Sequence, residues 1–394
     1  MLISSKRWRK HLDKHRFCIV VGTRPGIIKM SPLVRQCESL GIEYYILHTG
    51  QHYSPSMDRK FFEDLGLPDA KYKVEETWKY TTHAGKTAAM LIGVERVLID
   101  DPPSLVFVCG DANTNLAAAL AARKLHLPIG HVEAGLRSFD WRMPEEHNRV
   151  MIDHISELLF APTEQAAQHL RTEHVRGSIH VTGNTIVDAV ALHASMAEQK
   201  SSILDKLKLQ PKCYSIVTMH REENVDSPEV LSKLLRGIRL VAEHNSSDLI
   251  FPIHPRTRKR IIEFGLMETL VQIPRLRIVD PLGYLDMVKL LKHACVVLTD
   301  SGGLQEESCV LNVPCVTLRE TTERQETVKV GANRVVGTEP DQILRGYIMS
   351  FEKNPEWENP FGDGLAAKRI ISISKEFLTK TLVNSRICCK FPKG

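Results

Sequence analysis

The ten residues Leu298-Thr299-Asp300-Ser301-Gly302-Gly303-Leu304-Gln305-Glu306-Glu307 hold the densest chemistry in the chain. The apolar run Cys295–Leu298 reads as a buried strand, and the chain then turns through Ser-Gly-Gly into a polar, helix-compatible segment. Such a corner leaves backbone N–H groups and the positive end of a helix available to an anion. Glu306 and Glu307 follow within the first helical turns. A carboxylate beside a bound phosphate is repulsive unless it bonds something else, and a ribose hydroxyl suits it. The segment therefore predicts a site for a nucleotide diphosphate or nucleotide sugar.

Four further constellations lie at predicted strand ends. In Gly22-Thr23-Arg24-Pro25-Gly26-Ile27-Ile28-Lys29, glycine allows a tight turn while Arg24 and Lys29 place cations near a helix start. They either face an anion or decorate a plain βα corner. Asp111, in the loop Gly110–Asn115, is either a catalytic acid or the N-cap of the next helix, and position alone favours the cap. His131–Arg137 and Met143–Arg149 gather three carboxylates, two histidines and two arginines around a strand end. Pro144 suits a helix N1 position, which explains Glu145 or Glu146 as dipole-complementing acids but leaves Glu133 unexplained. Carboxylates grouped in this way can hold a proton near neutrality. Finally, His220 in Thr218–Asn224 either serves a phosphate or is an ordinary loop histidine, and His254-Pro255-Arg256-Thr257-Arg258 supplies more cations.

These loops need a scaffold that ends strands side by side. Apolar strand-like runs alternate with helix-period segments: Phe17–Val21, Tyr44–Thr49, Leu105–Val108, Ile129–Val132, Leu158–Ala161 and Ile179–Val181 are predicted strands. Helices are predicted at Ile28–Ser39, Met57–Leu65, His83–Leu98, Leu116–Lys124, Glu145–Ser156 and Glu164–Glu173. The pattern restarts after a Lys-rich stretch, with strands at Tyr214–Thr218, Asp248–Ile253, Leu276–Val279, Cys295–Leu298 and Cys315–Leu318. Alternation of this kind predicts α/β architecture with parallel sheets, here as two Rossmann-like domains facing each other across a cleft. The expected division is a basic extension at 1–16, a first domain at 17–186 and a second at 187–364. A helix at 365–382 is expected to pack back on the first domain.

The 394 residues, 43% hydrophobic and 25% charged, describe a globular protein long enough for two cores. No apolar run approaches the roughly 20 residues of a membrane span, and the basic N-terminus lacks the apolar core of a secretory leader. Net charge +5 without a basic stripe, and only 6% aromatic residues, argue against nucleic acid and suit a small anionic substrate. The nine cysteines form no CxxC and no metal spacing, which predicts buried thiols in a reducing, cytoplasmic compartment. HExxH, an EF-hand loop and a Walker lysine are missing too, so Arg, Lys, His and helix ends are expected to neutralise the phosphates without a metal or other cofactor.

Taken in order, the motifs resemble those of the non-hydrolysing UDP-N-acetylglucosamine 2-epimerases. The matching segments are GTRPxxIK at Gly22–Lys29, TGQH at Thr49–His52, GDxxT at Gly110–Thr114, HVEAGLR at His131–Arg137 and PEExNR at Pro144–Arg149. GNTIVDA at Gly183–Ala189, HRxEN at His220–Asn224, TDSGGxQEE at Thr299–Glu307, TERxET at Thr322–Thr327 and NPFGDGLA at Asn359–Ala366 continue the series. The resemblance spans about residues 17 to 378. It implies a glycosyltransferase-B-like arrangement with the active site in the interdomain cleft, and a homodimer. It also implies reversible inversion at C2 of UDP-GlcNAc through loss of UDP to 2-acetamidoglucal and re-addition. By position, Asp111, Glu133, Glu145, His220 and Lys29 would be catalytic. Arg24, Lys29, His220, Met287, Ser301, Gly302, Gly303, Glu307 and Arg324 would bind the UDP-sugar, with Gln51 and His254 candidates for a second site. Gly26, Ala112, Glu222 and Gln325 depart from the usual family residues, and Tyr53, Ser54 and Glu222 depart from the pattern of members that bind an activating second substrate. The alternatives are a 2-epimerase acting on a UDP-2,3-diacetamido sugar and a hydrolysing relative that releases ManNAc and UDP.

Overall fold

The computed structural model describes residues 15–51, 61–351 and 356–388, with side chains as far as residue 381. His52, Tyr53, Ser54, the start of the expected helix 57–65, most of the basic extension and Cys389 lie outside the described residues. The chain divides into two compact units, residues 1–189 with 361–394, and residues 190–360.

The first unit is built on a parallel sheet of order β3-β2-β1-β4-β5-β6-β7. Its strands are β1 (Phe17–Val21), β2 (Tyr44–His48), β3 (Tyr72–Lys73), β4 (Leu105–Cys109), β5 (Ile129–Val132), β6 (Leu158–Ala161) and β7 (Ser178–Val181). Helices cover both faces of a parallel sheet, so its central strands are buried on both faces rather than alternating; β1, β4, β5 and β6 are buried along their whole length. Phe107 meets Phe17 edge to face at 5.2 Å. A Cβ on Gly130 would sit 2.9 Å from the Phe107 ring and 3.1 Å from Phe160, so only glycine lets these rings close over β5. Helix Asn113–Lys124 buries Ala117, Ala118, Ala119, Ala121 and Ala122, and these small side chains let helix His83–Asp100 pack closely against it. Helix Ala366–Cys388 packs on helix Arg24–Ser39. Its first turn is anchored by Asp188, whose carboxylate accepts the N–H groups of Ala366 (3.3 Å) and Ala367 (3.0 Å). Burial raises the Asp188 carboxyl, and these N–H bonds only partly offset it.

The second unit repeats the plan with a parallel sheet of order β10-β9-β8-β11-β12-β13. The strands are β8 (Tyr214–Thr218), β9 (Asp248–Pro252), β10 (Leu276–Val279), β11 (Val297–Thr299), β12 (Cys315–Thr317) and β13 (Asn333–Val335). Helix Pro228–His244 sets Leu231, Leu234, Leu235, Ile238 and Val241 at helical spacing into a core shared with Val217, Phe251 and Leu298. In both sheets the strand order reverses beside the first strand. The reversal lies between β1 and β4 in one unit and between β8 and β11 in the other. Open α/β sheets bind ligands at such points, beyond the carboxyl ends of the strands.

Several boundaries differ from expectation. Helix Arg24–Ser39 starts four residues early, because Thr23 caps it by accepting the Gly26 N–H at 3.3 Å and Pro25 suits its first turn. The edge strands β3 and β13, of two and three residues, have no apolar run to announce them.

Candidate functional site

At the reversal point of the first sheet the chain runs unusually tight. A Cβ on Gly22 would lie 2.2 Å from both Thr49 Oγ1 and Thr114 Oγ1, which are themselves hydrogen-bonded at 2.8 Å. Gln51 joins them: its Oε1 accepts from Thr114 N (2.8 Å) and Thr114 Oγ1 (2.7 Å). The loops after β1, β2 and β4 are thus tied into one floor.

Glu133 follows β5 with φ +68°, a left-handed conformation that is costly for a residue with a Cβ. Its side chain is 4% exposed and forms an ion pair with the buried Lys29 Nζ at 2.5 Å. Asn184 Nδ2 donates to the same oxygen at 3.4 Å. The other oxygen lies 3.1 Å from where a Cβ on Gly110 would stand, so the carboxylate rests directly against the residue before Asp111. Asp111 is partly exposed and does not cap the next helix, whose N-cap is Ala112 without a side-chain bond. Its carboxylate instead pairs with Arg149, and Asn148 donates to its backbone carbonyl at 2.8 Å.

Arg149 is buried and pairs with Glu146 as well. Glu146 accepts from Ser138 N (2.9 Å), Ser138 Oγ (2.8 Å) and Phe139 N (3.0 Å), holding the loop before its helix in place. Burial opposes the Glu146 charge, but these bonds and Arg149 hold its carboxyl below the usual range. Pro144 takes the N1 position as expected, and Glu145 stands beside it, half-buried. Of the two helix-start acids, Glu146 is therefore the loop anchor. Beneath this layer lies a buried scaffold in which His131 Nδ1 meets Asp153 Oδ1 at 2.7 Å and His131 Nε2 meets the Gly110 carbonyl at 3.1 Å. Arg137 bridges Asp153 (2.8 Å) and Glu173 (2.6 Å). Although burial opposes its charge, His131 and Arg137 hold the Asp153 carboxyl below its ordinary value. The remaining cation, Arg24, is half-buried and lies over the Phe61 ring at 5.8 Å.

In the second unit the corresponding reversal point carries His220 and Ser301. Ser301 caps helix Gly302–Val310, accepting the Leu304 N–H at 3.5 Å, and its own N–H donates to Thr299 Oγ1 at 3.0 Å. A Cβ on Gly302 would fall 2.5 Å from Glu323 Oε1, whereas one on Gly303 would meet nothing closer than 3.9 Å. A methyl on Gly302 would therefore require the Glu323 carboxylate to shift, and Gly303 leaves space over the helix start. Glu307 accepts from Tyr284 Oη at 3.3 Å, and burial with the neighbouring carboxylate drives the Tyr284 phenol well above its ordinary value. Arg324 is buried against the wholly buried Glu306, 2.7 Å from Nε to Oε1. Met287, half-buried, packs against the apolar cluster under β8 and β11. His254 is exposed and caps helix Pro255–Glu263 through Nδ1, which accepts the Arg256 N–H at 3.2 Å. Its ring centroid lies 5.4 Å from that of His220.

Sequence reasoning left Arg149, Asn184, Asp300 and Thr114 without roles. All four sat inside noted motifs, but their types (an arginine, an amide, an acid and a threonine at ordinary positions) gave no separate signal. Among the described residues no group of three or more His, Cys, Asp or Glu is arranged to hold a metal ion, and no helix is long and apolar enough to cross a membrane.

Two Rossmann-type sheets, one with cation-held carboxylates at its reversal point and the other with a capped Ser-Gly-Gly helix start, define a glycosyltransferase-B-like α/β protein. That fold likeness extends to the spinosyn rhamnosyltransferase SpnG at 15% identity and TM-score 0.51. The family model described as UDP-N-acetylglucosamine 2-epimerase matches residues 35–375. The chain belongs to this family. It is 47% identical over 363 residues to a UDP-N-acetylglucosamine 2-epimerase of Methanococcus maripaludis, covering 91% of this chain and 98% of the relative. It is also similar to the crystal structure of the Methanocaldococcus jannaschii UDP-GlcNAc 2-epimerase in complex with UDP-GlcNAc and UDP. There the identity is 46%, the TM-score 0.86 and the coverage 91% of this chain and 99% of that one. A UDP-2,3-diacetamido-2,3-dideoxy-D-glucuronate 2-epimerase of Pseudomonas aeruginosa stands at 37% identity, covering 92% of this chain and 98% of the relative.

Proposed function

We propose that this protein interconverts UDP-N-acetylglucosamine and UDP-N-acetylmannosamine without hydrolysing them. The observation that carries the chemistry is the meeting, at one sheet reversal point, of two carboxylates each fixed by a buried cation: Glu133 by Lys29 and Asp111 by Arg149. Inversion at C2 needs proton transfer on both faces of the sugar. One carboxylate takes the C2 proton as the C1–O bond to UDP breaks, leaving 2-acetamidoglucal and UDP. Delivery of a proton to the other face of C2, with return of the UDP oxygen to C1, completes the inversion. Asp111, Glu133 and Glu145 are the groups assigned to this proton work.

The departing diphosphate gains negative charge, and His220, Arg24, the Ser301 side chain and the N–H groups of Gly302 and Gly303 are suited to receive it. Glu307, held by Tyr284, is assigned the ribose hydroxyls. Arg324 would act on the nucleotide or sugar from a position fixed by Glu306, and Met287 by apolar contact. Gln51 is committed to Thr114, which suits a structural part better than a second ligand site. We place the protein in the cytoplasm as a homodimer, on the reduced cysteines and on the family resemblance. Light scattering at twice the chain mass would support the dimer.

The test is incubation with UDP-GlcNAc in D2O, followed by proton NMR. Deuterium at C2 of both sugars with UDP-ManNAc as product is the expected result. Free ManNAc as the main product would point to hydrolysis. Turnover only on a UDP-2,3-diacetamido sugar would move the substrate to that class.

A further inference from the structure

Asp300 follows β11 and is wholly buried, yet it is surrounded by donors from a single loop. Its carboxylate accepts the N–H groups of His220 (2.9 Å) and Arg221 (3.0 Å) and the Asn224 side-chain amide (3.1 Å). It also lies 3.1 Å from His220 Nδ1. We propose that Asp300 is a positioning residue for His220, fixing the ring as the Nδ1–H tautomer so that Nε2 faces the diphosphate of the sugar nucleotide. The inference rests on His220 serving that diphosphate.

The reasoning is one of donor and acceptor inventory. An ionised carboxylate accepts only, so the ring nitrogen beside it must carry hydrogen. The neutral ring then keeps Nε2 as a bare acceptor that can take a proton and, once charged, donate to a phosphate oxygen. The ring is 38% exposed while Asp300 is sealed in, so the buried end is fixed and the outer end is available. As the C1–O bond breaks, charge grows on the departing phosphate oxygen. When the ring carries both protons, Nε2–H donates to that oxygen while Nδ1–H stays with Asp300. Although burial works against its charge, hydrogen bonding from His220 and the loop holds the Asp300 carboxyl below the usual range. A carboxylate serving only the loop would need the three N–H bonds alone. The link to Nδ1 is the addition that points to function.

The His254 ring centroid lies 5.4 Å from that of His220, while the adjacent Arg221 pairs with Glu323 at 4.0 Å and Arg256 pairs with Glu222 at 2.7 Å.

The test uses the full chain labelled with 15N and 13C histidine, with His220→Asn identifying the His220 signals. Nitrogen shifts in the unsubstituted protein should show the Nδ1–H tautomer for the neutral ring, and Asp300→Asn should let the Nε2–H tautomer appear. Asp300→Asn should also lower kcat for C2 exchange by about 100-fold or more, and change UDP affinity less than about threefold. In the His220→Asn background the same change should alter kcat by less than about twofold. An Nε2–H tautomer in the unsubstituted protein, an unchanged tautomer in Asp300→Asn, or losses that multiply would overturn the proposal. If Asp300→Asn does not fold, the tautomer in the unsubstituted protein decides. If C2 exchange is missing altogether, the function fails while the tautomers still judge the pair.

Discussion

Replacing Lys29 by Met tests how the first unit keeps a charge in its interior. Lys29 and Glu133 have side-chain exposures of 7% and 4% and approach to 2.5 Å. At an effective dielectric near 20 the gross attraction at that separation is about 6–7 kcal/mol. Much of it is offset by desolvation of the two ions. Breaking the pair from one side leaves the buried carboxylate without its Lys29 ammonium, for which about 3–5 kcal/mol is expected. Asn184, at 3.4 Å, is too distant a donor to replace an ammonium. Lys29→Met should therefore lower the unfolding free energy of the first unit, read from urea denaturation, by an amount near that range. Lys29→Met combined with Glu133→Gln should recover most of it, since neither charge of the pair then remains and methionine keeps the lysine stem's packing. Circular dichroism of the two single variants and the double variant closes the cycle. A single-variant loss below about 1 kcal/mol, or strict additivity, would refute the claim that the charges depend on each other.

The remaining predictions concern the layers around this pair. Asp111→Asn, Glu133→Gln and Glu145→Gln should each lower kcat by about 100- to 10,000-fold while leaving UDP affinity, read by calorimetry, far less changed; full turnover in all three would sink the assigned chemistry. Gly22→Ala should destabilise by about 1–3 kcal/mol, since its methyl would meet two threonine hydroxyls at 2.2 Å, and an unchanged melting temperature would contradict that packing. The Asp153 carboxyl is depressed in the fold, so its contribution is complete above the unfolded carboxylate range near about pH 4 and is lost as pH falls through the folded value. Asp153→Asn should thus be markedly less stable at pH 7 and draw level with the parent only in strong acid; a constant gap at every pH would speak against the ion pair.

Local sequence determined much of this molecule because parallel sheets bury their strands on both faces. β1, β4 and β6 are apolar runs, and such runs declare themselves without partners. The strand–Ser-Gly-Gly–helix corner was legible for the same reason, since its backbone requirements are local. The edge strands β3 and β13 were not, because their stability comes from a neighbour rather than from their own residues. Asp111 shows the same division at the site. Next to a helix start, an aspartate reads as a cap, and only the approach of Arg149 from 38 positions away gives its carboxylate another partner. Glu145 and Glu146 are indistinguishable as adjacent acids until the fold turns Glu146 under the Ser138 loop. Likewise, Arg324 is a cation in sequence and half of a buried pair in space. Spacing along the chain fixes which residues stand at a strand end. Which charge neutralises which is decided by desolvation and distance, and those exist only once the sheets have formed.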